Sequence, residues 1–106
     1  MFDKKAALSY VGGDSELLAE IIGIFREEID EKLERMRTWI AQNNALEISR
    51  CAHSIKGELH TLGATLSRRI AAEIEIAGAS GDLNDIPSLF NQFVEEINRF
   101  IREIGK

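Results

Sequence analysis

The chain has 106 residues, 44% hydrophobic and 29% charged, which suits one globular domain over residues 1–106 with a single core. Its formal net charge of −5, with basic and acidic residues interleaved, argues against nucleic-acid binding. No apolar run approaches the ~20 residues that span a bilayer, and the N-terminus lacks the apolar segment of a signal peptide. The single cysteine, Cys51, excludes an internal disulfide and fits a reducing compartment. We therefore expect a monomeric cytoplasmic domain whose partner is another protein.

The first two predicted helices are separated by the pair Gly12-Gly13, which favours a turn. A short helix is predicted over residues 2–10, started at Asp3. Asp14 is a good N-cap for a long amphipathic helix from Ser15 to about Gln42. Its apolar residues recur in steps of three and four: Leu18, Ile22, Phe25, Ile29, Leu33, Met36 and Ile40. The charges on its other face are interpreted as a solvated surface.

The central predicted helix is capped by Asn44 and ends near Gly63. Its apolar face consists of Ala45, Ile48, Ala52, Ile55, Leu59 and Leu62. The next helix is predicted from about Ala64 to Ala79, and it ends in a glycine-containing loop. Its inward residues are predicted to be Leu66, Ile70, Ile74 and Ala77, and the loop residues Gly78, Gly81 and Asp82.

The last predicted helix starts at Asn84 or Asp85, with Pro87 tolerated in its first turn. Its stripe consists of Leu89, Phe93, Ile97, Phe100 and Ile104. No run of alternating apolar and polar residues indicates a strand. Four amphipathic helices with short loops predict an all-α, antiparallel up-down-up-down four-helix bundle. The short N-terminal helix is expected to cover one end of it.

One spot on the central helix carries chemistry. His53 lies roughly 130° from the centre of the apolar face, so it is expected to be exposed. Lys56 and Gly57 follow one turn later, beside the imidazole. A neutral imidazole is a competent nucleophile toward phosphorus, and an ammonium can stabilise the phosphoryl oxygens. Gly57 has no side chain that would obstruct a large partner.

Other chemistries lack their motifs. There is no Gly-rich phosphate loop, so we predict no nucleotide cofactor. His53 and His60 are seven residues apart, or about 10.5 Å along a helix, whereas a shared metal favours an i,i+4 pair. Cys51 and His53 are two residues apart and point away from each other. We therefore predict no metal site and no catalytic cysteine.

The segment AHSIKGELHTLGA, Ala52 to Ala64, resembles the AHxxKG…LGA signature of histidine-containing phosphotransfer (HPt) domains. GGDSELLAEIIGIF and IEIAGASGD resemble the segments before and after it, so the resemblance covers essentially the whole chain. It implies that His53 is the phosphoacceptor, Lys56 the electrostatic partner and Gly57 the clearance residue. It also implies a carrier that is not an enzyme. Its partners would be response-regulator receiver domains or a hybrid histidine kinase, with magnesium supplied by the receiver.

Further residues are expected near the docking surface. Glu75, on the neighbouring helix, is hypothesised to orient Lys56 or the imidazole. Ser49, Arg50 and His60 are candidates for the rim. The sequence departs from the family pattern after Gly57, where Glu58 and Leu59 replace small residues; Leu59 is expected to fill core, and Glu58 to affect packing or partner choice.

Two alternatives stay open. The chain could be a helical-bundle adaptor that docks a receiver or kinase without carrying phosphate. It could also be the histidine-bearing domain of a chemotaxis-type kinase, phosphorylated by an ATP-binding domain elsewhere. The initial Met favours a free-standing protein over a domain of a hybrid kinase.

Overall fold

The computed structural model describes residues 2–104 and contains five α-helices and no strand over that range. The helices are α1 Lys4–Tyr10, α2 Ser15–Ala41, α3 Ala45–Thr61, α4 Thr65–Ser80 and α5 Ile86–Ile104. α3 packs against α2 and α4, and α5 packs against the same two helices, so α3 and α5 lie diagonally across the bundle. This arrangement confirms the predicted all-α antiparallel four-helix bundle. Residues 1 and 106, the limits of the predicted domain, lie outside the described residues.

The core is formed where the predicted stripes of α2, α3 and α5 meet. Burying one large apolar side chain contributes about 1.5–3 kcal/mol relative to leaving it exposed. Eleven large side chains are almost completely buried: Phe93, Phe100, Ile29, Met36, Ile48, Ile55, Leu59, Leu62, Ile74, Ile86 and Ile97. The core therefore runs the length of the bundle and fixes the rotation of each helix about its own axis.

The short helix α1 covers one end of the bundle, as predicted. Asp3 caps it by accepting from the N–H of Ala6 at 3.0 Å. The backbone N–H of Asp3 also donates to the carbonyl of Gly63, at the end of α3, over 2.7 Å. Gly63 has φ +71°, and an added Cβ would overlap the Asp3 carbonyl. Phe2 packs edge-on against Phe100 of α5, so α1 and its N-terminal extension seal this end.

The predicted inward face of α4 is confirmed at Ile74, which is buried, but its centre is displaced by about one residue. Ile70 and Ala77 are half-buried against the core, and Leu66 is half-buried. The buried positions are Ser67, Ala71, Ile74 and Gly78. The reason is that α4 packs closely on α3, and a close helix crossing favours small residues at the contact. Gly78 therefore lies within the helix and not in the following loop, which begins at Gly81 with φ +81°.

The start of α5 also differs slightly from the prediction. The helix begins at Ile86, one or two residues after the predicted Asn84 or Asp85. Pro87 lies in its first turn, where the missing N–H has no helical partner to lose. Helix limits inferred from sequence are commonly uncertain by this much, and the buried face of α5 is unaffected.

Candidate functional site

The outer side of α3 carries His53 near the middle of the helix. Asn44 begins the helix by accepting from the N–H of Glu47 at 3.2 Å. Ala52 and Ile55, on either side of His53 in sequence, are buried at 0% and 1% exposure. Because successive residues turn by about 100°, the imidazole points away from the core, and 69% of it is exposed. The ring is open to a partner of any size.

One carboxylate joins the polar groups of this site. Nδ1 of His53 lies 2.7 Å from Oε2 of Glu75 on α4. Nζ of Lys56 donates to the other oxygen, Oε1, over 2.5 Å. The structure thus brings together the histidine, the lysine and the glutamate that the sequence singled out. Glu75 is only 23% exposed, so its interactions are less screened by water than those of a surface pair.

The charge of Glu75 decides where the imidazole proton resides. The hydrogen bond from the Lys56 ammonium lowers the pKa of Glu75; partial burial opposes this, and the contact with His53 reinforces it. The carboxylate is therefore ionised at neutral pH and can only accept hydrogen bonds. Nδ1 of His53 must carry the proton that it shares with Glu75. In the neutral ring this leaves the lone pair on Nε2, the nitrogen that does not contact Glu75.

The position of Glu75 depends on a close crossing of α3 and α4. A Cβ added at Gly78 would meet the carbonyl oxygen of Ala45 and the Cβ and N of Ser49 at 3.0 Å. One turn earlier on α4, the Ser49 hydroxyl donates to the backbone carbonyl of Glu75 over 3.1 Å. These contacts set the separation of the two helices beside His53. Sequence reasoning assigned Gly78 to a loop and missed its role in this crossing, although a glycine within a helical pattern is a signal for close packing.

Gly57 leaves open space beside His53. A Cβ built at this position meets no atom within 4 Å, among the described residues, apart from its own helix. Packing within the domain therefore does not require glycine there. A glycine inside a helix costs about 0.5–1 kcal/mol relative to alanine. The observation fits the predicted clearance for a partner, which remains a prediction.

His60 is exposed two turns after His53, but both of its ring nitrogens have partners. Nδ1 lies 2.8 Å from a guanidinium nitrogen of Arg68, and Nε2 lies 2.5 Å from the hydroxyl of Tyr10. A guanidinium only donates, so Nδ1 accepts and the proton is on Nε2. This arrangement makes His60 a link between α1, α3 and α4. Tyr10 and Arg68 were missed because their contacts span helices, for which the sequence gives no local signal.

Ser49 and Arg50 are placed differently from each other. Ser49 is half-buried between α3 and α4 and does not lie on the exposed rim that was expected. Arg50 is exposed and forms an ion pair with Glu47 over 3.2 Å, one turn before His53. Of these two residues, only Arg50 is exposed on the surface of α3.

Glu58, the departure from the family pattern, packs α3 against α2. Its Oε1 accepts from Nζ of Lys32 over 2.5 Å, and Glu28 lies 3.4 Å from the same ammonium. Burial would lower the pKa of Lys32, but the bonds and charges of the two glutamates outweigh it, and the pKa is raised. Cys51 is half-buried beside this cluster, and burial raises the pKa of its thiol. Glu58 and Cys51 thus contact Lys32 of α2, not the His53 ring.

Within residues 2–104, no group of three or more His, Cys, Asp and Glu side chains is arranged to hold a metal ion. None of the helices in the same range combines the length and apolar character needed to cross a membrane.

Comparisons with known proteins identify the family of the chain. The Hpt domain family matches residues 20–103. The fold is similar to the crystal structure of histidine-containing phosphotransfer protein B (HptB) from Pseudomonas aeruginosa PAO1, with a TM-score of 0.87 and 22% sequence identity. That alignment covers 94% of this chain and 87% of HptB. A search of curated proteins finds no match. Since the family match spans most of its length, the chain belongs to the Hpt domain family and is a histidine phosphotransfer protein.

Proposed function

We propose that the chain is a phosphorelay intermediate: His53 accepts a phosphoryl group from an aspartate of one receiver domain and passes it to an aspartate of another. The supporting observation is the hydrogen bond between Nδ1 of His53 and Glu75. It leaves Nε2 of an exposed imidazole with no hydrogen-bond partner among residues 2–104. A nucleophile that is exposed and fixed in orientation suits in-line attack on phosphorus.

The transfer step balances without any further reactant. The Nε2 lone pair attacks the phosphorus of the aspartyl phosphate, and the N–P bond forms as the P–O bond breaks. The aspartate leaves as a carboxylate. The proton on Nδ1 stays on the ring, so the phosphorylated imidazole carries a positive charge that the Glu75 carboxylate stabilises at 2.7 Å. Transfer to the next receiver is the same step in reverse.

Lys56 and Gly57 serve this step in different ways. The Lys56 ammonium has three donors and uses one on Glu75, so it has donors left for the phosphoryl oxygens. Charge placed there before the reaction stabilises the transition state without reorganisation. Gly57 provides the clearance that lets the receiver approach the ring.

The remaining chemistry comes from the partner. The receiver supplies the magnesium, and no nucleotide is needed because the phosphoryl group arrives already activated as an acyl phosphate. The chain is then a carrier that is consumed and regenerated, not an enzyme in the turnover sense. Its partners are receiver domains or a hybrid histidine kinase. We place the relay in the cytoplasm, with the chain acting as a monomer.

The test is phosphotransfer from a panel of phosphorylated receiver domains to the full chain. Wild type is expected to acquire an acid-labile phosphate, and His53→Gln to acquire none. His60→Gln is the comparison: it removes the second histidine of the same helix but keeps the imidazole of His53, so it should still acquire the acid-labile phosphate at the end of the reaction, whatever its effect on the rate. Label that survives in His53→Gln would contradict the proposal. No label on wild type from any receiver would favour the adaptor, and label only from an ATP-dependent kinase would favour the chemotaxis-type domain.

A further inference from the structure

A groove adjoins the proposed phosphoryl site between the C-terminal half of α3 and the N-terminal half of α4. Its lining consists of Lys56, Gly57, His60, Arg68, Arg69 and Ala72. Lys56 and Gly57 thus belong both to this groove and to the surroundings of His53. The far end of the groove, at His60, is about 10.5 Å along α3 from His53. A partner that buries the ~800 Å² typical of a stable interface on each side would therefore cover both.

The groove differs in charge from the rest of the molecule. The chain carries a net charge of −5, yet the ionised side chains of the groove, Lys56, Arg68 and Arg69, are all cationic. Within residues 2–104, no carboxylate forms an ion pair with Arg68 or Arg69. Four of the six other arginines are paired with glutamates of their own helices, namely Arg35, Arg37, Arg50 and Arg99. Arg26 and Arg102 have no ion pair within residues 2–104, but only Arg68 and Arg69 are adjacent and line a groove. Lys56 is paired with Glu75 on α4, so the positive charge of the groove that has no carboxylate partner among residues 2–104 is that of Arg68 and Arg69.

The groove is also partly ordered in advance. Arg68 is held by Nδ1 of His60 at 2.8 Å, and His60 is held in turn by Tyr10 of α1. A side chain that is already oriented loses less conformational entropy when a partner binds. Arg69 is exposed and makes no hydrogen bond or ion pair with the side chains of residues 2–104, so it can adapt to the partner.

We infer that Arg68 and Arg69 form a second contact for the receiver domain, made with acidic side chains on the face of the receiver that carries the phosphoacceptor aspartate. This inference rests on the proposed function and names the partner chemistry that its docking surface selects. A receiver that supplies magnesium must hold it through oxygen ligands, so acidic side chains cluster on the face that approaches His53. Complementary charge at the edge of an interface mainly speeds association and leaves the chemical step unchanged.

The experiment compares charge reversals on opposite sides of the bundle. Arg69→Glu changes the groove, and Arg102→Glu makes the same change on α5, diagonally opposite α3. Each full-length variant is mixed with the phosphorylated receiver that transfers fastest to wild type. Arg69→Glu is expected to lower the second-order rate constant of transfer about tenfold at low salt, with the rate at saturating receiver unchanged. The difference should shrink above ~0.1 M salt, and Arg69→Lys should behave as wild type.

Equal rate constants for Arg69→Glu and Arg102→Glu at every salt concentration would overturn the inference, provided that both unfold at the wild-type urea concentration. Binding of the unphosphorylated receiver separates this inference from the proposed function. If a receiver binds wild type and His53→Gln but never labels His53, the proposed function fails, while weaker binding by Arg69→Glu alone still supports the groove contact. Failure of every receiver to bind wild type would overturn both.

Discussion

The two oxygens of the Glu75 carboxylate contact two different residues, His53 and Lys56, and its negative charge strengthens both contacts. It accepts from Nδ1 of His53, which selects the tautomer with a lone pair on Nε2. It also pairs with the Lys56 ammonium, which keeps a cation within one turn of the reacting nitrogen. When a phosphoryl group arrives, Lys56 lies between two anions and can donate to both. On the proposed function, the reactivity of His53 is therefore controlled from the neighbouring helix.

Replacing Glu75 by glutamine tests this control. The amide can still accept from Nδ1, but it removes the negative charge that stabilises the phosphorylated imidazole and positions Lys56. We expect transfer to His53 to slow by roughly tenfold, equivalent to ~1.4 kcal/mol in the barrier, in rapid-quench measurements with one receiver. Glu73→Gln, an exposed substitution on the same helix, is the control. Unchanged rates of both transfer and phosphohistidine hydrolysis in Glu75→Gln would exclude a positioning role.

Gly57 offers a second test at this scale, in which stability and function should diverge. Gly57→Leu and Gly23→Leu both place a side chain in open space on a helix. Since leucine favours helix over glycine by up to ~1 kcal/mol, neither variant should lose stability in urea unfolding. Only Gly57→Leu should lose phosphotransfer, because its side chain would obstruct the receiver. Equal transfer rates in the two variants would remove the clearance role.

At the scale of the helix, the contact between α3 and α4 positions the site. Gly78 lets the backbones approach, and Ser49 bonds to the carbonyl of Glu75 across the contact. Glu75 lies one turn from this crossing, so its reach to His53 depends on the separation of the helices. A packing residue thereby affects chemistry that it does not touch.

Gly78→Ala is therefore expected to act in the opposite direction to Gly57→Ala. The new Cβ would lie 3.0 Å from backbone atoms of α3, which cannot rotate away as a side chain would. We expect Gly78→Ala to lower the free energy of unfolding by about 1–3 kcal/mol. Gly57→Ala should raise it by about 0.5–1 kcal/mol. Urea unfolding measures both, and a Gly78→Ala variant as stable as wild type would contradict the close-contact account.

The helices differ in how well the sequence predicts them. In α2, α3 and α5 the inward residues are large and apolar, so steps of three and four identify the buried face. In α4 only Ile74 of the predicted face is fully buried; the rest of the contact is made by Ser67, Ala71 and Gly78, whose small size matters more than hydrophobicity. His53, Lys56 and Gly57 lie within two turns of one helix, so their proximity follows from spacing. Contacts across helices, such as Tyr10 with His60, depend on crossing distances that no local pattern records.

At the scale of the whole molecule, the bundle leaves the middle of α3 uncovered. α2 and α4 flank this helix, α5 is diagonal to it, and α1 contacts only its end. The inward residues of α3 pack in the core and hold the bundle together, whereas its outward residues are not needed for packing. The exposed face of α3 is thus the surface on which the fold can present a nucleophile without disturbing its core.

The stability of the molecule should depend on pH through Glu75. Interaction with Lys56 lowers its folded-state pKa below the ordinary value of 4.5. The resulting stability is fully present above the unfolded-state pKa and is lost as the pH falls through the lowered folded-state pKa. Wild type should therefore be more stable than Glu75→Gln at pH 7, by roughly 1 kcal/mol, and the difference should shrink as the pH falls below 4.5 and be lost below the lowered folded-state pKa. A difference that stays the same from pH 7 down through the acid range in urea unfolding would contradict this assignment.

The most direct measurement of the central claim is the identity of the phosphorylated nitrogen. The full chain, labelled with ¹⁵N at its histidines, is phosphorylated by a receiver and observed by NMR through its nitrogen–phosphorus couplings. The account predicts one phosphoryl group, on Nε2 of His53, with the proton retained on Nδ1 beside Glu75. A phosphoryl group on Nδ1 of His53, or on His60, would contradict it.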